Sequence, residues 1–363
     1  MKKNHDTITK VQLFFLITQT QIGVGQIELP HHAFIAAKYD GWISVLLTGV
    51  LFQIIIFILW LLVKRFPNHT IFDFSEKVLG KLFGKIISLF YSGYFLLVAS
   101  FLAASPILYK WAFPNTPKWV VMMLSLSGTL YFTRVNLRIL AKYNTLISML
   151  ILILIILVLT VYNDMRFENI LPIGQTNFTR IFKGINAAFL PMIGYEFLLV
   201  IYPKIKENPT TIFKTMSLIN ILVTGLLTFF VLSMFFVFSP FELRTLKEPV
   251  LYILKSFDWN IIERLDIILI IIWVATVNTS VINYLFFASH GVGHLFHKGN
   301  HIKAANYLPI ISTMISLFLT TPQKLEWIKS LLNWMAYVSL IGIPLFLLVI
   351  SIISFKLKRR NEI

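Results

Sequence analysis

The feature that most constrains this chain is its series of long apolar segments. Residues 146–161, LISMLILILIILVLTV, carry no charge, and comparable stretches recur along the sequence. A helix needs about 20 mostly apolar residues to cross the hydrocarbon core of a bilayer. Only 13% of the residues are charged, against roughly 25% in an ordinary soluble chain. The sequence therefore predicts an all-α integral membrane protein whose main solvent is the lipid bilayer.

Ten stretches are apolar and long enough to be predicted as transmembrane helices. They are 11–31, 42–63, 83–110, 118–134, 139–161, 184–202, 213–238, 262–290, 305–321 and 333–355. No charge run or low-complexity segment suggests a separate soluble domain. We therefore predict one transmembrane domain over residues 1–363, with a first repeat of about 11–161 and a second of about 184–355.

The positions of the basic residues predict an orientation. With the N-terminus inside, 20 of the 32 Lys and Arg residues lie in inside segments and 12 in outside segments. Cytoplasmic loops carry an excess of Lys and Arg, so both termini are expected on the cytoplasmic side. The net charge of +16 lies in short loops between apolar segments. It is thus interpreted as a topology signal, and no nucleic-acid partner is expected.

Two of the ten spans are interrupted at corresponding places in the two halves. The first span contains QIGVGQIELP at residues 21–30, and the sixth contains PMIGYEF at residues 191–197. Each has a glycine near its middle, a proline close by, and a carboxylate (Glu28 or Glu196) shortly after the glycine. Interrupted helices at matching positions of two halves indicate a ligand site near the bilayer midplane. The alternative is that these glycines only allow close helix packing.

The two carboxylates of these segments suggest different roles. A carboxylate deep in a membrane span is costly and usually faces a polar interior. Glu196 could bind a ligand amine, carry a proton, or lock the broken helix through hydrogen bonds. Glu28 lies nearer the membrane edge, where a gate or interface role is expected.

Other polar residues in the spans are weaker candidates. Tyr94 in the third span and Asn278, Thr279, Ser280 and Asn283 in the eighth could line the same cavity, although Ser and Thr often bond their own helix backbone. The series His290, His294 and His297, with His301 beyond, has a spacing that could hold a metal. Because no carboxylate partner accompanies it, interfacial histidines are the better interpretation, and no metal or cofactor is expected. The chain has no Cys and no recognisable catalytic constellation.

Several short motifs, taken in order, resemble the B subunits of nutrient germinant receptors of endospore-forming bacteria. They are Gly23-x-Gly25 with Leu29-Pro30, Gly41-Trp42-Ile43, Gly93-Tyr94-Phe95 with Ala99-Ser100-Phe101, Gly194-x-Glu196, and Glu263-Arg264 leading into Trp273. The resemblance extends over essentially the whole chain. It implies membership of the amino acid–polyamine–organocation permease superfamily, and hence a five-plus-five inverted-repeat transporter fold in which helices 1 and 6 are broken around the ligand.

The resemblance also implies a function and a site. The family senses small-molecule germinants, such as amino acids, sugars or nucleosides, in the spore inner membrane. Its B subunit works beside a membrane A subunit and a lipoprotein C subunit. When the family's pocket is carried over residue by residue, it falls on six positions of this chain, and two further positions are weaker candidates. The six are Gly23, Val24, Gly25, Gly194, Tyr195 and Glu196, and the additions are Tyr94 and Thr279.

Two functions share this expected fold. The first is a germinant receptor subunit that signals through its partners. The second is a working permease that imports an amino acid with a coupled proton or sodium ion. A membrane enzyme is not expected, because the sequence offers neither a nucleophile nor a metal constellation.

Overall fold

The structure, a computed structural model, describes residues 6–23, 25–105, 107, 111, 113–159, 165–255 and 265–361. Side chains at 254, 255, 265, 266 and 354–361 are not described. Val24 of the predicted pocket and the Glu263-Arg264 motif therefore lie outside the described residues.

The described part of the chain is helical, without a β-strand; its only bridge joins Ile8 and Ile205. In chain order the helices are α1 (Lys10–Ile22), α2 (Leu29–Ala37), α3 (Gly41–Arg65), α4 (Ile71–Leu79), α5 (Lys81–Ala103), α6 (Lys118–Phe132), α7 (Leu137–Ile147), α8 (Met149–Leu159), α9 (Phe178–Phe189), α10 (Leu198–Ile201), α11 (Pro209–Val237), α12 (Pro240–Thr245), α13 (Pro249–Lys255), α14 (Leu265–Phe296), α15 (His301–Ala305), α16 (Leu308–Phe318), α17 (Pro322–Tyr337) and α18 (Ile343–Asn361).

Six described helical segments are long and apolar enough to cross a membrane. They are Leu29–Arg65, Lys81–Ala103, Leu137–Leu159, Pro209–Val237, Ile267–Phe296 and Pro322–Ile353. A seventh is formed if the bent pair Phe178–Met192 and Tyr195–Lys204 counts as one span. The predicted all-α, multi-pass membrane character is thus confirmed. The number ten stays a prediction, because α1, α6 and α16 have only 13, 15 and 11 residues.

Local sequence explains where the helices begin. Thr9 caps α1 in a capping box with Gln12, which satisfies backbone N–H groups left free in the first turn. The side chains of Asn177 and Asn208 cap α9 and α11 in the same sense. Between α4 and α5, Gly80 has a φ of +84°, a conformation that glycine adopts without the steric penalty of a Cβ atom.

The core is built around two long helix pairs, α5 with α14 and α3 with α11. Large aromatic side chains, among them Tyr91, Phe95 and Tyr284, are fully buried between these helices. In contrast, the outward faces keep large apolar side chains exposed, such as Leu152 at 64% and Leu124 at 66%. Helices that are apolar on their outer faces as well as in the core are expected when lipid surrounds the bundle.

Loops predicted on the same side of the membrane contact one another. Asp6 of the N-terminal segment forms an ion pair with Lys204 and accepts a hydrogen bond from the backbone N–H of Leu137. His301 lies 3.4 Å from the carbonyl oxygen of Val135. All these contacts join segments predicted to be inside.

The segments predicted outside make their own contacts. The carboxylate of Asp40 accepts hydrogen bonds from the N–H groups of Gly174 and Thr176 at 2.8 and 2.9 Å. The ammonium of Lys118 donates to the carbonyl of Leu319 at 3.0 Å. The alternation of crossings is therefore reflected in which loops meet, although these contacts do not say which face is cytoplasmic.

Candidate binding site at two broken helices

The first break separates α1 from α2. Helix α1 ends at Ile22 and α2 begins at Leu29. Gly25 between them has a φ of +76°, a left-handed conformation that costs other L-residues about 1–2 kcal/mol. The predicted interruption of the first helix is therefore observed at this glycine.

The second break lies between α9 and α10. A short 3₁₀ turn over Leu190–Met192 ends α9, and Ile193 is extended. Gly194 has a φ of +125°, and the chain then resumes as a helical turn over Tyr195–Phe197. The two arms meet at 50°, so the sixth predicted span is a bent one.

The two breaks touch each other. A Cβ atom built on Gly25 would lie 3.4 Å from Cγ of Pro191, and one on Gly194 would lie 3.3 Å from Cγ of Gln21. The Gln21 side-chain amide donates to the carbonyl oxygen of Met192 at 2.9 Å. This bond satisfies a carbonyl that the end of the first arm leaves without a helical partner. The structure thus brings both predicted break segments into one place.

Glu196 joins the second break to the helix pair at the core. Its Oε2 accepts a hydrogen bond from the backbone N–H of Gly194 at 2.7 Å. Its Oε1 accepts hydrogen bonds from the hydroxyls of Tyr94 on α5 and Tyr284 on α14, at 3.1 and 3.3 Å. The residue is completely buried. Three of its roughly four acceptor positions are occupied, which favours the role of a brace for the broken helix among the three predicted roles.

Tyr195 points in a different direction from Glu196. Its hydroxyl donates to Oδ1 of Asn220 at 3.3 Å, and its ring packs on Phe52 with 5.4 Å between centroids. The Asn220 amide in turn donates to the carbonyl of Gly49 and to the side chain of Gln53. Tyr195 is thus a buried part of a polar network between α3 and α11.

Gly23 and Thr279, both predicted in the pocket, have structural partners instead. A Cβ atom on Gly23 would lie 2.0 Å from the hydroxyl oxygen of Ser280, so this glycine lets α1 pack closely on α14. The Thr279 hydroxyl donates to the carbonyl of Ala275 in its own helix at 2.7 Å. Of the two glycines in Gly23-x-Gly25, only Gly25 has the left-handed conformation of the break. Gly23 instead allows close helix packing, which was the alternative interpretation.

Sequence reasoning missed two glutamines beside the first break. Gln26 is 2% exposed, and neither its Oε1 nor its Nε2 has a hydrogen-bond partner. Gln21 is 1% exposed; its Oε1 forms no hydrogen bond of acceptable geometry, although the Tyr195 hydroxyl lies near its amide. An unpaired buried polar group costs about 1–3 kcal/mol. The sequence alone could have identified both glutamines, because amide side chains are rare inside an apolar span.

Ser280 and Asn283, two of the polar residues considered in the eighth span, form a polar network behind the first break with partners that sequence reasoning missed. The Asn283 amide donates to the Thr20 hydroxyl at 2.7 Å and to Oδ1 of Asn144 at 2.8 Å. The Ser280 hydroxyl donates to the carbonyl of Thr20 at 2.9 Å. Together with Tyr284, these α14 residues follow helical spacing, which could have shown that they share one face of the helix.

Comparison with known proteins gives this constellation a context. The sequence profile of the family described as "Spore germination protein" matches residues 7–325. The chain belongs to that family.

Three curated relatives align with this chain over nearly their whole lengths. Spore germination protein GerQB of Bacillus cereus is 26% identical over 363 residues, covering 98% of each chain. Spore germination protein YndE of Bacillus subtilis (strain 168) is 25% identical over 368 residues, also covering 98% of each. Spore germination protein B2 of the same strain is 24% identical over 370 residues, covering 99% of each. The predicted resemblance is thereby confirmed at the level of the family.

The structure also has a cavity whose lining includes no residue of the two breaks. Its volume is about 390 Å³, and it lies between α6, α14 and α16. The lining is mostly apolar, with a polar pair in which the Ser125 hydroxyl donates to Oδ1 of Asn278 at 2.7 Å. None of the described pocket residues predicted from the sequence lines it. Of the polar residues considered in the eighth span, only Asn278 faces this cavity.

Glu28 lies at the start of α2 and belongs to a cluster of polar side chains. Its Oε2 is 3.5 Å from Nε2 of His32, and the ammonium of Lys329 on α17 is 2.8 Å from the same nitrogen. The neighbouring His31 contacts the carbonyl of Leu243 at 2.8 Å. Glu28 therefore connects the first break to α17 through His32, and its gate or interface role stays a prediction.

The histidines of the 290–301 segment have separate partners and do not form one cluster. His294 lies 3.3 Å from Oδ1 of Asp73 on α4, so the sequence-based statement that these histidines lack a carboxylate partner was wrong. Burial would raise the pKa of the Asp73 carboxyl, but hydrogen bonds from His294 and Thr70 lower that pKa to about 2. His290 stacks on His301 with 4.2 Å between ring centroids. Among the described residues, no group of three or more His, Asp or Glu side chains could hold a metal ion.

Proposed function

We propose that this chain is the membrane subunit of a nutrient germinant receptor. In this proposal it lies in the inner membrane of the spore, with both termini on the core side, and works with a membrane A subunit and a lipoprotein C subunit. It binds a small polar germinant of the amino acid, sugar or nucleoside class at the two breaks. It is a receptor subunit and not an enzyme. Family membership over residues 7–325 supports the role in germination.

Ten spans in a five-plus-five inverted repeat form part of the proposal. Each half begins with a broken helix, and corresponding later helices contact one another: α3 with α11, α5 with α14, and α6 with α16. Each half ends in an interrupted helix, at Ser148 between α7 and α8 and at a π-helical turn over Val338–Gly342 between α17 and α18. Shared irregularities at matching positions support an internal repeat.

The observation that carries the ligand site is the buried, unpaired amide of Gln26 inside the first break. Its two polar atoms offer one acceptor and one donor group. A small ligand with amine, carboxylate or hydroxyl groups would complete both. Backbone groups at Gly25, and at Gly194 on the facing arm, would surround such a ligand. Glu196 and Tyr94 would hold that arm in place.

The test is germination of spores that carry Gln26→Met, a change that keeps the side-chain length and removes both polar atoms. The matched control is Asn278→Ala, which alters the polar pair of the distant cavity. We expect Gln26→Met to raise the half-maximal germinant concentration at least about tenfold, since buried hydrogen bonds to a ligand contribute on the order of 1–3 kcal/mol. The control should respond normally at equal protein level. If Gln26→Met spores respond to germinant normally and Asn278→Ala spores do not, the ligand site lies in the cavity and not at the breaks.

The topology has its own test, which the absence of native Cys makes simple. Single Cys residues at Asn68 or Asn208 should be protected from an impermeant thiol reagent added outside. Single Cys residues at Asn115 or Asn169 should react. The opposite pattern would reverse the orientation and contradict the proposal that the termini face the core.

The second candidate function is a permease that couples import of an amino acid to a proton or sodium ion. The buried carboxylate of Glu196 at the start of the second arm is the observation that favours it, because such groups often serve as ion or proton sites in transporters. Proteoliposomes containing the purified chain distinguish the two functions. Accumulation of a radiolabelled germinant under a proton or sodium gradient would support the permease, whereas saturable binding without accumulation supports the receptor.

A further inference from the structure

A pocket of about 280 Å³ lies beside the N-terminal end of α1, next to α7 and the segment before α11. Three cations line it: Arg138 and Lys142 of α7, and Lys206. None of the three side chains has a hydrogen bond or an ion pair among the described residues. Asp6, the nearby carboxylate, is already occupied by Lys204 and by the N–H of Leu137.

The pocket continues directly into an apolar surface. Arg138, Lys142 and Thr145 lie on one stripe of α7, since positions three and four apart share a helix face. The same stripe continues on α8 with Met149, Leu152 and Ile156, which are 64%, 64% and 60% exposed. The cations thus lie where the polar end of the helix meets its lipid-facing side.

We propose that this pocket binds the phosphate-bearing headgroup of an anionic phospholipid, whose acyl chains lie along the exposed face of α8. Basic pockets at the ends of membrane helices recognise acidic lipid headgroups in this way. A free phosphate would use only the cations, and an acidic segment of a partner protein would not need the apolar stripe. The lipid is the occupant that uses both parts of the surface. This inference does not depend on the germinant site.

The experiment uses the full chain purified in a neutral detergent and titrated with phosphatidylglycerol or with phosphatidylcholine of the same acyl chains. Native mass spectrometry reports the number of bound lipids and their affinity. The variant Arg138→Gln/Lys142→Gln/Lys206→Gln is compared with a charge-matched control, Lys81→Gln/Lys214→Gln/Lys303→Gln, at exposed sites elsewhere. The single variant Arg138→Gln gives a readout if the triple variant does not fold.

The wild-type chain and the control should bind phosphatidylglycerol in preference to phosphatidylcholine. Each pocket cation removed should weaken phosphatidylglycerol binding about fivefold, since a basic residue near an anionic lipid surface contributes about 1 kcal/mol. Equal phosphatidylglycerol affinity of the pocket variants and the control would overturn the proposal and point to a protein partner instead. Competition by inorganic phosphate or glycerol 3-phosphate at the same concentration as the lipid would also overturn it, in favour of a free anion.

Discussion

The two breaks are similar in sequence but differ in how completely their polar groups are paired. At the second break, Glu196 accepts the N–H of Gly194, and Gln21 donates to the carbonyl of Met192. At the first break, the Gln26 amide is buried and unpaired. Paired polar groups hold a break in one arrangement, whereas an unpaired buried amide needs an explanation, and a bound ligand would supply its missing partners. In the proposed site, the second break is therefore a preformed structural element, and the first break contains the amide that would bind the ligand.

Removing the brace of the second break should have the largest effect. Glu196→Ala leaves two tyrosine hydroxyls and the N–H of Gly194 without an acceptor, at about 1–3 kcal/mol for each buried group. We expect a several-fold loss of protein from the membrane together with loss of response, measured by immunoblotting and germinant dose-response on the same spores. Glu196→Gln keeps one acceptor oxygen and should be intermediate. Normal protein levels for Glu196→Ala would show that the carboxylate is not a brace.

Substituting alanine for the glycine at each break compares how strongly the backbone conformation is constrained at the two breaks. Gly194→Ala and Gly25→Ala both place a side chain at positive φ, at about 1–2 kcal/mol. The cost should be higher at Gly194, because its φ of +125° lies farther from the left-handed helical value of about +57° than the +76° of Gly25 does. Thermal unfolding of the purified variants measures the difference. A larger loss at Gly25 would contradict the view that the second break is the more tightly constrained.

Gly23→Ala serves as the matched control for these two variants, because Gly23 has a helical φ of −73°. Its destabilisation should come from overpacking against Ser280, about 1–3 kcal/mol. Partial rescue by Ser280→Gly would identify packing as the cause, whereas rescue is not expected for Gly25→Ala or Gly194→Ala.

Gln26→Met should impair the response to germinant without lowering the stability of the ligand-free protein. Because the native amide is buried and unpaired, an apolar side chain of similar length should leave the ligand-free protein as stable as the wild type, or more stable by up to about 1–3 kcal/mol. Thermal unfolding without germinant measures this effect. The added stabilisation by germinant should disappear in the variant. Destabilisation of ligand-free Gln26→Met would show that the amide already has a partner in the resting protein.

Thr279→Val should have the smallest effect. The hydroxyl bonds only to its own helix, at the carbonyl of Ala275, and such bonds contribute little to helix stability. We expect a change below about 1 kcal/mol in unfolding free energy and less than a twofold change in response. A strong shift of the germinant dose-response would return Thr279 to the ligand pocket where the sequence predicted it.

Local features of the site could be predicted because they arise from single residues and their neighbours in the chain. The positive φ values at Gly25 and Gly194 fall in the two segments where glycine, proline and a carboxylate interrupt apolar runs. The contact between those segments also followed, because their matching places in two halves indicated a common site. The cluster of Glu196 with Tyr94 was anticipated as a pocket, but its detailed bonding was not.

The chemistry of a long apolar sequence determines that this chain is helical and lies in a membrane, because unpaired backbone groups cannot remain in lipid. It also determines where two helices break. Only the tertiary structure decided which glycine breaks a helix and which permits packing: Gly25 has a φ of +76°, whereas Gly23 is helical and lies opposite Ser280. It likewise decided that Asp73 meets His294, and that Asn278 and Ser280 lie on different sides of α14. These pairings join residues far apart in the chain, and a single sequence contains no local signal for such distances.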